Sequence, residues 1–301
     1  MYNITKNIYK NLFIFIFIIL ISLVIMIYIK NMLLYHPNPA IDEKYSRFYK
    51  KIYHIAGSQK NISHILVETV DKISLDSIFI KNPTKSKCII YFHGNSGNIS
   101  MRFDMIKFLY NYASVIIFDY RSFGKSTGNN NGLSARALEK DADAIWQYVV
   151  DQLSYSPNKI SLFGESLGCS IAINLAAKLS KTMNQTQYPH SLILNSPFYS
   201  LADMIENTFD KINIGFIGKC LATLIAVEYK SNEYIKYLNH QTKIIIAHSP
   251  RDEIIPYHQG LNLYNSICQY HKYARFINLN GTHNNLGLTD RYIYTLADIF
   301  D

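Results

Sequence analysis

Residues 159–179 read KISLFGESLGCSIAINLAAKL, which predicts a strand, a sharp turn and a helix in immediate succession. The apolar run at 160–163 has the length of a strand, and small apolar residues from Ser170 onward repeat at helical spacing. Between them, GESLG at 164–168 matches the pattern G-x-S-x-G, which lifts a serine hydroxyl above the edge of a sheet. Ser166 is therefore a candidate nucleophile, although an ordinary serine in a glycine-bounded turn gives the same local pattern.

The composition of this turn has a steric explanation. Side chains two residues before and after Ser166 would collide with the tight backbone, which accounts for Gly164 and Gly168. The first amides of the following helix point toward the place where a negatively charged oxygen would form. We therefore predict that the Leu167 amide is the first donor of an oxyanion hole.

The length of the chain is sufficient for one large α/β domain or two small ones, and the distribution of its charge argues against nucleic-acid binding. The chain has 301 residues, of which 49% are hydrophobic and 14% aromatic, so a substantial core is expected. The formal net charge is +8, but the lysines are scattered and form no basic block or aromatic-basic RNA motif. The four cysteines lack C-x-x-C spacing, so we expect reduced thiols and neither a metal nor an organic cofactor.

Residues 12–29 predict a membrane anchor, which we assign to residues 1–30. These 18 residues carry no charge, and at ~1.5 Å per residue a helix of this length spans ~27 Å, close to the hydrocarbon core of a bilayer. A cleaved signal peptide is the alternative, but its apolar region is usually shorter and a small-residue cleavage site should follow. More basic residues follow the segment than precede it, which favours a single-pass protein with a cytoplasmic catalytic domain.

The rest of the chain predicts an α/β fold. After a connector at 31–60, residues 62–70 and 73–80 alternate like an antiparallel strand pair. Short apolar runs and helical stretches then alternate, which predicts a mostly parallel mixed sheet with helices on both faces. The predicted strands of this part are 88–92, 115–119, 160–163, 192–195, 243–248 and 275–279. We assign residues 61–301 to one catalytic domain.

A segment at about 198–238 predicts a small helical cap over the site. Its apolar residues have no predicted strand to belong to, and they are Ile212, Ile214, Phe216, Ile217, Leu221, Leu224 and Ile225. A cap of this kind would line an acyl pocket or contact the bilayer. Ordinary packing of a core helix is the alternative.

Ligands of such sheets bind at the carboxyl ends of the strands, so the residues that follow each strand are site candidates. The loop HGNSGN at 93–98 contains glycines that let main-chain amides approach a carbonyl, and the Asn95 amide is the predicted second oxyanion donor. Asp252, with Glu253 as fallback, follows the strand at 243–248, and His283 follows the last strand. These residue types suit a nucleophile, a base that takes its proton and a carboxylate that orients the base.

The order serine, aspartate, histidine is the one found in α/β-hydrolases. His248 ends its strand before Asp252 and does not fit this order as the base. The chain resembles the α/β-hydrolase superfamily, and within it the membrane-anchored Bem-type proteins. The resemblance extends from about residue 12 to near the end and rests on MLLY with Pro37, YFHGNSGN (91–98), DYRSFGKSTG (119–128), GESLG (164–168) and NGTHN (280–284).

The resemblance implies an α/β-hydrolase fold and a membrane-tethered hydrolase of esters or thioesters, often lipid-linked. The expected substrate is a membrane lipid or an acylated protein, cleaved through an acyl-serine intermediate. The triad chemistry by itself leaves a serine peptidase open. A non-catalytic, membrane-tethered scaffold of the same fold is the alternative from another class.

Overall fold

The computed structural model describes residues 12–17, 21, 31, 34–182, 188–211, 215, 218–219, 222–223 and 228–301. An eight-stranded sheet runs through the described chain, and its strands lie side by side in the order Arg275–Asn278, Lys243–His248, Ser191–Asn195, Ile160–Glu165, Cys88–Phe92, Ser114–Phe118, Ser74–Ile80 and Ile62–Glu68. The first six of these strands are mutually parallel, whereas the strand Ser74–Ile80 pairs antiparallel with both of its neighbours. The predicted mixed sheet, with an antiparallel pair at its front, is therefore confirmed.

The strands of this sheet fall close to the predicted runs. They are β2 (Ile62–Glu68), β3 (Ser74–Ile80), β4 (Cys88–Phe92), β6 (Ser114–Phe118), β7 (Ile160–Glu165), β8 (Ser191–Asn195), β9 (Lys243–His248) and β10 (Arg275–Asn278). Two further strands form a separate parallel pair, and they are β1 (His36–Pro37) and β5 (Ser96–Gly97).

The helices with defined bounds cover both faces of the sheet. They are α1 (Asp42–Ala56), α2 (Phe103–Tyr110), α3 (Ala135–Asp151), α4 (Leu167–Thr182), α5 (Leu201–Lys211), α6 (Ser231–Tyr234), α7 (Tyr257–Cys268) and α8 (Asp290–Phe300). Helices α3, α4 and α7 pack in one apolar core, while α1, α2 and α8 pack in the other.

The central strands are apolar on both faces because each face meets a layer of helices. In β4, Ile90 and Phe92 belong to the core with α3 and α4, whereas Ile89 and Tyr91 belong to the core with α1 and α8. This alternation follows from the period of two along a strand. The carboxyl ends of the parallel strands thus share one edge of the sheet, where the site candidates lie.

The predicted connector at 31–60 contributes to the packed domain. Helix α1 buries Tyr45, Phe48, Ile52 and Ala56 against the sheet. Strand β1 pairs in parallel with β5, which belongs to the loop that follows β4. The segment next to the predicted anchor is therefore joined to the loop that carries Asn95.

Two predictions fall largely outside the described residues. Of the predicted anchor at 12–29, only 12–17 and 21 are described, and they are helical. Across the ranges given above, no helix combines the length and apolar character needed to cross a bilayer. In the predicted cap, α5 and α6 are described, but Ile212, Ile214, Phe216, Ile217, Leu221, Leu224 and Ile225 are not.

Candidate active site

Ser166 occupies the junction between β7 and α4. Its backbone lies in the left-handed region with φ +52°, a conformation that non-glycine residues adopt only at a cost of about 1–2 kcal/mol. The Ser166 amide donates a hydrogen bond of 3.0 Å to the carbonyl oxygen of Asn195 at the end of the neighbouring strand β8. This bond holds the strained residue at the carboxyl edge of the sheet.

The two glycines of the turn are required by close backbone contacts. A Cβ on Gly168 would lie 2.1 Å from the carbonyl oxygen of Phe92, at the end of β4. A Cβ on Gly164 would lie 2.7 Å from the backbone of Cys169. Both distances are far below van der Waals contact, so α4 can approach the sheet closely only because these residues lack side chains.

Asp252 and His283 form a hydrogen-bonded pair across two loops. Asp252 follows β9 and His283 follows β10, and His283 Nδ1 lies 2.8 Å from Asp252 Oδ2 and 3.0 Å from Oδ1. The Asp252 side chain is fully buried, while that of His283 is 10% exposed. An ionised carboxylate only accepts hydrogen bonds, so the proton is assigned to Nδ1 and the lone pair to Nε2.

Asp252 accepts several further hydrogen bonds. The amides of Ile254 and Ile255 donate to its Oδ1 at 3.0 and 2.8 Å, and His248 Nε2 lies 3.3 Å from its Oδ2. Burial alone would raise the pKa of Asp252, but the hydrogen bonds from His248 and His283 outweigh it and hold the pKa below its ordinary value. The carboxylate therefore stays ionised near neutral pH.

The loop that carries His283 is fixed by its own backbone and by the loop after β9. The amides of Gly281 and Thr282 donate to the carbonyl oxygens of Leu286 and Asn285, which closes a tight turn around His283. Glu253 Oε2 accepts a hydrogen bond of 3.0 Å from the His283 amide. Glu253, the fallback acid, thus supports the loop backbone, and Asp252 holds the ring.

The predicted oxyanion donors lie beside Ser166. Leu167 is the first residue of α4, where backbone amides have no partner within the helix. A Cβ on Gly94 would lie 3.5 Å from Ser166 Cβ, so the loop before Asn95 passes directly against the serine. Asn95 is held by its side chain, which donates to the Leu34 carbonyl oxygen at 2.9 Å, and by its carbonyl oxygen, which accepts from the His36 amide at 2.9 Å.

These groups share one cavity of about 850 Å³, lined by Ser166, His283, Leu167 and Asn95. Ligand pockets for drug-sized molecules span about 300–1,000 Å³, so this cavity has room for a sizeable ligand. Much of its wall is apolar. The apolar lining residues are Leu34, Met101, Met105, Phe108, Phe198, Met204, Ile254, Ile255, Leu286 and Leu288.

The cavity also contains polar residues that the sequence patterns did not single out. Glu165, next to the serine, accepts a 2.5 Å hydrogen bond from the hydroxyl of Tyr91. Arg102 and His36 line the same cavity. Glu165 stands inside the G-x-S-x-G motif. The sequence position of Glu165 or Arg102 does not indicate that the side chain lines the cavity, because folding brings the cavity residues together.

Behind the cavity, His93 is buried and braces the loop after β4. Its Nδ1 lies 2.7 Å from the Gly94 carbonyl oxygen, and burial together with the charge of Arg102 lowers the pKa of His93 to about 3. Asp119 accepts hydrogen bonds from the Tyr45 hydroxyl at 2.7 Å and the Ile99 amide at 2.9 Å. Burial raises the pKa of Asp119 to about 7, against the effect of those bonds.

Residues 87–232 match the family model described as alpha/beta hydrolase fold. The chain is 54% identical over 276 residues to protein R595 of Acanthamoeba polyphaga mimivirus, a match that covers 92% of this chain and 93% of that protein. It is 29% identical over 244 residues to protein bem46 of Schizosaccharomyces pombe, which covers 78% and 75% of the two chains.

The match to a relative whose name states an enzymatic activity covers a smaller share of that relative's length. The chain is 27% identical over 223 residues to the lysophosphatidylserine lipase ABHD12 of Gallus gallus, and the match covers 70% of this chain. It spans about half of the lipase, 55% of its length. Among solved structures, an esterase of Pyrococcus furiosus is similar in fold, with a TM-score of 0.61 at 16% identity over 79% of this chain and 89% of the esterase.

Proposed function

Because the chain belongs to the α/β-hydrolase family, we propose that it is a serine hydrolase that cleaves carboxylic esters or thioesters through an acyl-serine intermediate. The observation that carries this proposal is the pairing of His283 Nδ1 with the buried carboxylate of Asp252 at 2.8 Å, beside the cavity that Ser166 lines. The pairing fixes the His283 tautomer that has its lone pair on Nε2, which is the form that can take a proton from a serine hydroxyl.

In the first half of the reaction, Ser166 Oγ attacks the carbonyl carbon of the substrate. His283 Nε2 takes the hydroxyl proton and then gives it to the leaving alcohol or thiol. Asp252 keeps the imidazole in the tautomer that has its lone pair on Nε2 and stabilises the imidazolium. In the second half, His283 activates a water that hydrolyses the acyl-serine and returns the proton to Ser166.

The tetrahedral intermediates of both halves carry a negative oxygen. The amides of Leu167 and Asn95 are the proposed donors to this oxygen, since both residues line the cavity next to Ser166. The hydrogen bond that Asn95 donates to the Leu34 carbonyl oxygen and the one it accepts from the His36 amide fix the second donor before substrate binds. Donors fixed in advance contribute to the rate because no reorganisation is needed during the reaction.

The proposed substrates carry an acyl chain, as in a membrane lipid or an acylated protein. The apolar wall of the cavity supports an acyl group, and the similarity to a lysophosphatidylserine lipase supports a lipid ester. Activity on chain-length series of p-nitrophenyl esters, acyl-cysteine peptides and ordinary peptides would separate esterase, thioesterase and peptidase. Turnover of peptides in preference to both acyl series would contradict the proposal.

A fluorophosphonate probe tests the nucleophile. We expect the probe to label the full chain and to leave Ser166→Ala unlabelled. Ser196→Ala is the matched control, because Ser196 also lines the cavity and should not be required for labelling. Equal labelling of Ser166→Ala and the wild-type chain would overturn the assignment.

We also propose that residues 12–29 anchor the protein in a membrane as a single-pass segment, with the catalytic domain on the cytoplasmic side. The support is the run of 18 uncharged residues and the exposed basic side chains on α1, which suit an anionic membrane surface. The basic residues are Lys44, Arg47, Lys50 and Lys51.

Fractionation of cells that express the full chain tests this anchor. We expect the protein to remain with membranes after carbonate extraction, and a chain without residues 1–30 to be released. Protease added to sealed vesicles should digest the catalytic domain when the cytoplasmic face of the membrane is outside. The domain should be protected when that face lies inside. Release of the full chain by carbonate would contradict the anchor.

A further inference from the structure

Arg102 is a charged side chain in the cavity wall that forms no ion pair with the residues the structure describes. It follows the short turn Ile99–Met101, directly after the loop that carries Asn95, and lines the same cavity as Ser166. Its Nη2 donates a hydrogen bond to the Ser96 carbonyl oxygen. Its Nε is buried and has no hydrogen-bond partner among the described residues.

An unpaired guanidinium in this position is costly. Arginine stays protonated at any relevant pH and offers five N–H donors in a planar fork. Within the described ranges, no carboxylate lies at salt-bridge distance from Arg102. The buried Asp119 is close enough for the charge of Arg102 to oppose the rise in its pKa, but it forms no ion pair with the guanidinium. The guanidinium therefore keeps N–H donors for an anion that enters the cavity.

Two carboxylates line the same cavity, but neither is placed to neutralise Arg102. Glu165 is already hydrogen bonded to the Tyr91 hydroxyl. Asp104 is exposed and forms no ion pair with Arg102 among the described residues. Their charges repel an anion elsewhere in the cavity, so Arg102 is the point at which an anion is stabilised.

We propose that Arg102 binds an anionic oxygen group of the substrate, a phosphate or a carboxylate, and makes the enzyme prefer acyl esters that carry such a group. This inference rests on the proposed ester hydrolysis at Ser166. The guanidinium fork matches the oxygens of both anions, and charge-assisted hydrogen bonds of this kind are shorter and stronger than those between neutral groups. The apolar wall then holds the acyl chain while Arg102 holds the head group.

The test compares three esters with one acyl chain. They are the neutral monoacylglycerol, the acylglycerol phosphate and the acyl ester of glyceric acid, which carries a carboxylate. The readout is the ratio of kcat/KM for each anionic ester to kcat/KM for the neutral ester, measured in detergent micelles of fixed composition. This ratio cancels any general loss of catalytic power in a variant.

We expect the wild-type enzyme to prefer at least one anionic ester, and Arg102→Gln to lower that ratio by about tenfold or more, which corresponds to about 1.4 kcal/mol. Arg102→Lys keeps the charge and should keep the ratio within about fivefold of wild type. Lys107→Gln removes one positive charge from an exposed position on α2, the helix that follows Arg102, and should change the ratio by less than about twofold.

The inference is overturned if Arg102→Gln and Lys107→Gln leave the same ratio, or if the wild-type enzyme prefers the neutral ester. If Arg102→Gln does not fold, Arg102→Met takes its place in the comparison, with the same expected loss of the ratio. Failure of the proposed function has a different signature, because none of the three esters would then be hydrolysed and no probe would label Ser166.

Discussion

His248 Nε2 lies 3.3 Å from Asp252 Oδ2, so the carboxylate that holds the His283 ring also contacts a second, fully buried imidazole. The same nitrogen lies 3.0 Å from the Ile255 carbonyl oxygen, which only accepts, so Nε2 carries a proton. A Cβ on Gly260 would lie 2.3 Å from His248 Nδ1, so the glycine on α7 makes room for this ring.

Replacement of the His248 imidazole should make the Asp252 carboxylate less firmly oriented toward His283. We expect His248→Phe to lower kcat by about tenfold with little change in KM, because Asp252 loses a charge-assisted donor and is less firmly oriented. The free energy of unfolding should fall by about 1.5–3 kcal/mol at pH 7. The exposed His54 on α1 provides the control His54→Asn, which should change neither quantity measurably.

The pH dependence of that loss has a defined sign. The folded-state pKa of Asp252 is lowered, so its contribution to stability is present above the unfolded pKa of about 3.9 and is lost as pH falls further. A variant that raises this pKa therefore keeps its full difference from wild type at any pH above about 4, and the difference shrinks only as pH falls toward the lowered folded-state pKa. Urea unfolding at pH 7 and pH 5 checks this, and a clearly smaller difference at pH 5 would contradict it.

Asp252 and Glu253 are adjacent carboxylates with different contacts, which allows a matched comparison. Asp252→Asn should lower kcat by roughly 10³–10⁴-fold, because an amide in this place favours the wrong tautomer of His283. Glu253→Gln should cost less than about tenfold, since an amide oxygen can still accept the hydrogen bond from the His283 backbone. Ester hydrolysis at saturating substrate measures both, and similar losses would refute the assignment of Asp252 as the acid.

The sequence predicted best what is local and periodic. The strand, turn and helix around Ser166, the parallel strands and the antiparallel front pair all follow from short apolar runs and glycine positions. Helix α1 could have been predicted within the connector. Its buried residues recur at helical spacing, and they are Tyr45, Phe48, Ile52 and Ala56.

Other features depend on contacts between distant parts of the chain. Strand β1 has only two residues and forms because the loop after β4 pairs with it. A strand this short has no alternating pattern in the sequence that could predict it. The contact of His248 with Asp252 arises from the turn after β9, and that of Glu253 with the His283 backbone from the meeting of two loops. Such relationships carry no pattern in the linear sequence.

The close approach of α4 to the end of β4 predicts a large effect of one methyl group at Gly168. Gly168→Ala would place Cβ 2.1 Å from the Phe92 carbonyl oxygen, and both groups belong to buried backbone that cannot shift freely. We expect a loss of about 3 kcal/mol or more in the free energy of unfolding, or no folded protein. Gly132→Ala is the control, because a Cβ there meets nothing within 4 Å and should cost less than about 1 kcal/mol. Thermal denaturation of the two variants separates them, and equal midpoints would be inconsistent with the close contact.

The junction between the connector and the Asn95 loop predicts a boundary for truncation. Removal of residues 1–30 leaves the Leu34 carbonyl, strand β1 and the buried Tyr35 in place, so kcat/KM on a soluble short-chain ester should stay within about threefold of the full chain. Removal of residues 1–41 deletes all three and frees Asn95. We expect at least a tenfold lower kcat/KM and a lower midpoint of unfolding, and retention of full activity would show that β1 does not support the oxyanion donor.

The buried Asp119 predicts a pH dependence of stability that is opposite to that of Asp252. Burial raises the folded-state pKa of Asp119 to about 7, so the folded protein retains a proton there that the unfolded chain releases near pH 4. Asp119 therefore lowers the stability progressively as pH rises from about 4 to about 7, at about 1.4 kcal/mol for each pKa unit of difference.

Asp119→Asn removes this dependence while it keeps a group that can accept from the Tyr45 hydroxyl or the Ile99 amide. The variant should thus gain stability relative to wild type as pH rises from 5 to 8. The quantity that increases is the free energy of unfolding of the variant minus that of wild type. His93, whose pKa is lowered to about 3, changes stability in the reverse direction over an overlapping range, so the difference between the two proteins is the quantity to measure. A difference that is constant from pH 5 to pH 8 would mean that Asp119 is already ionised in the folded protein at pH 5.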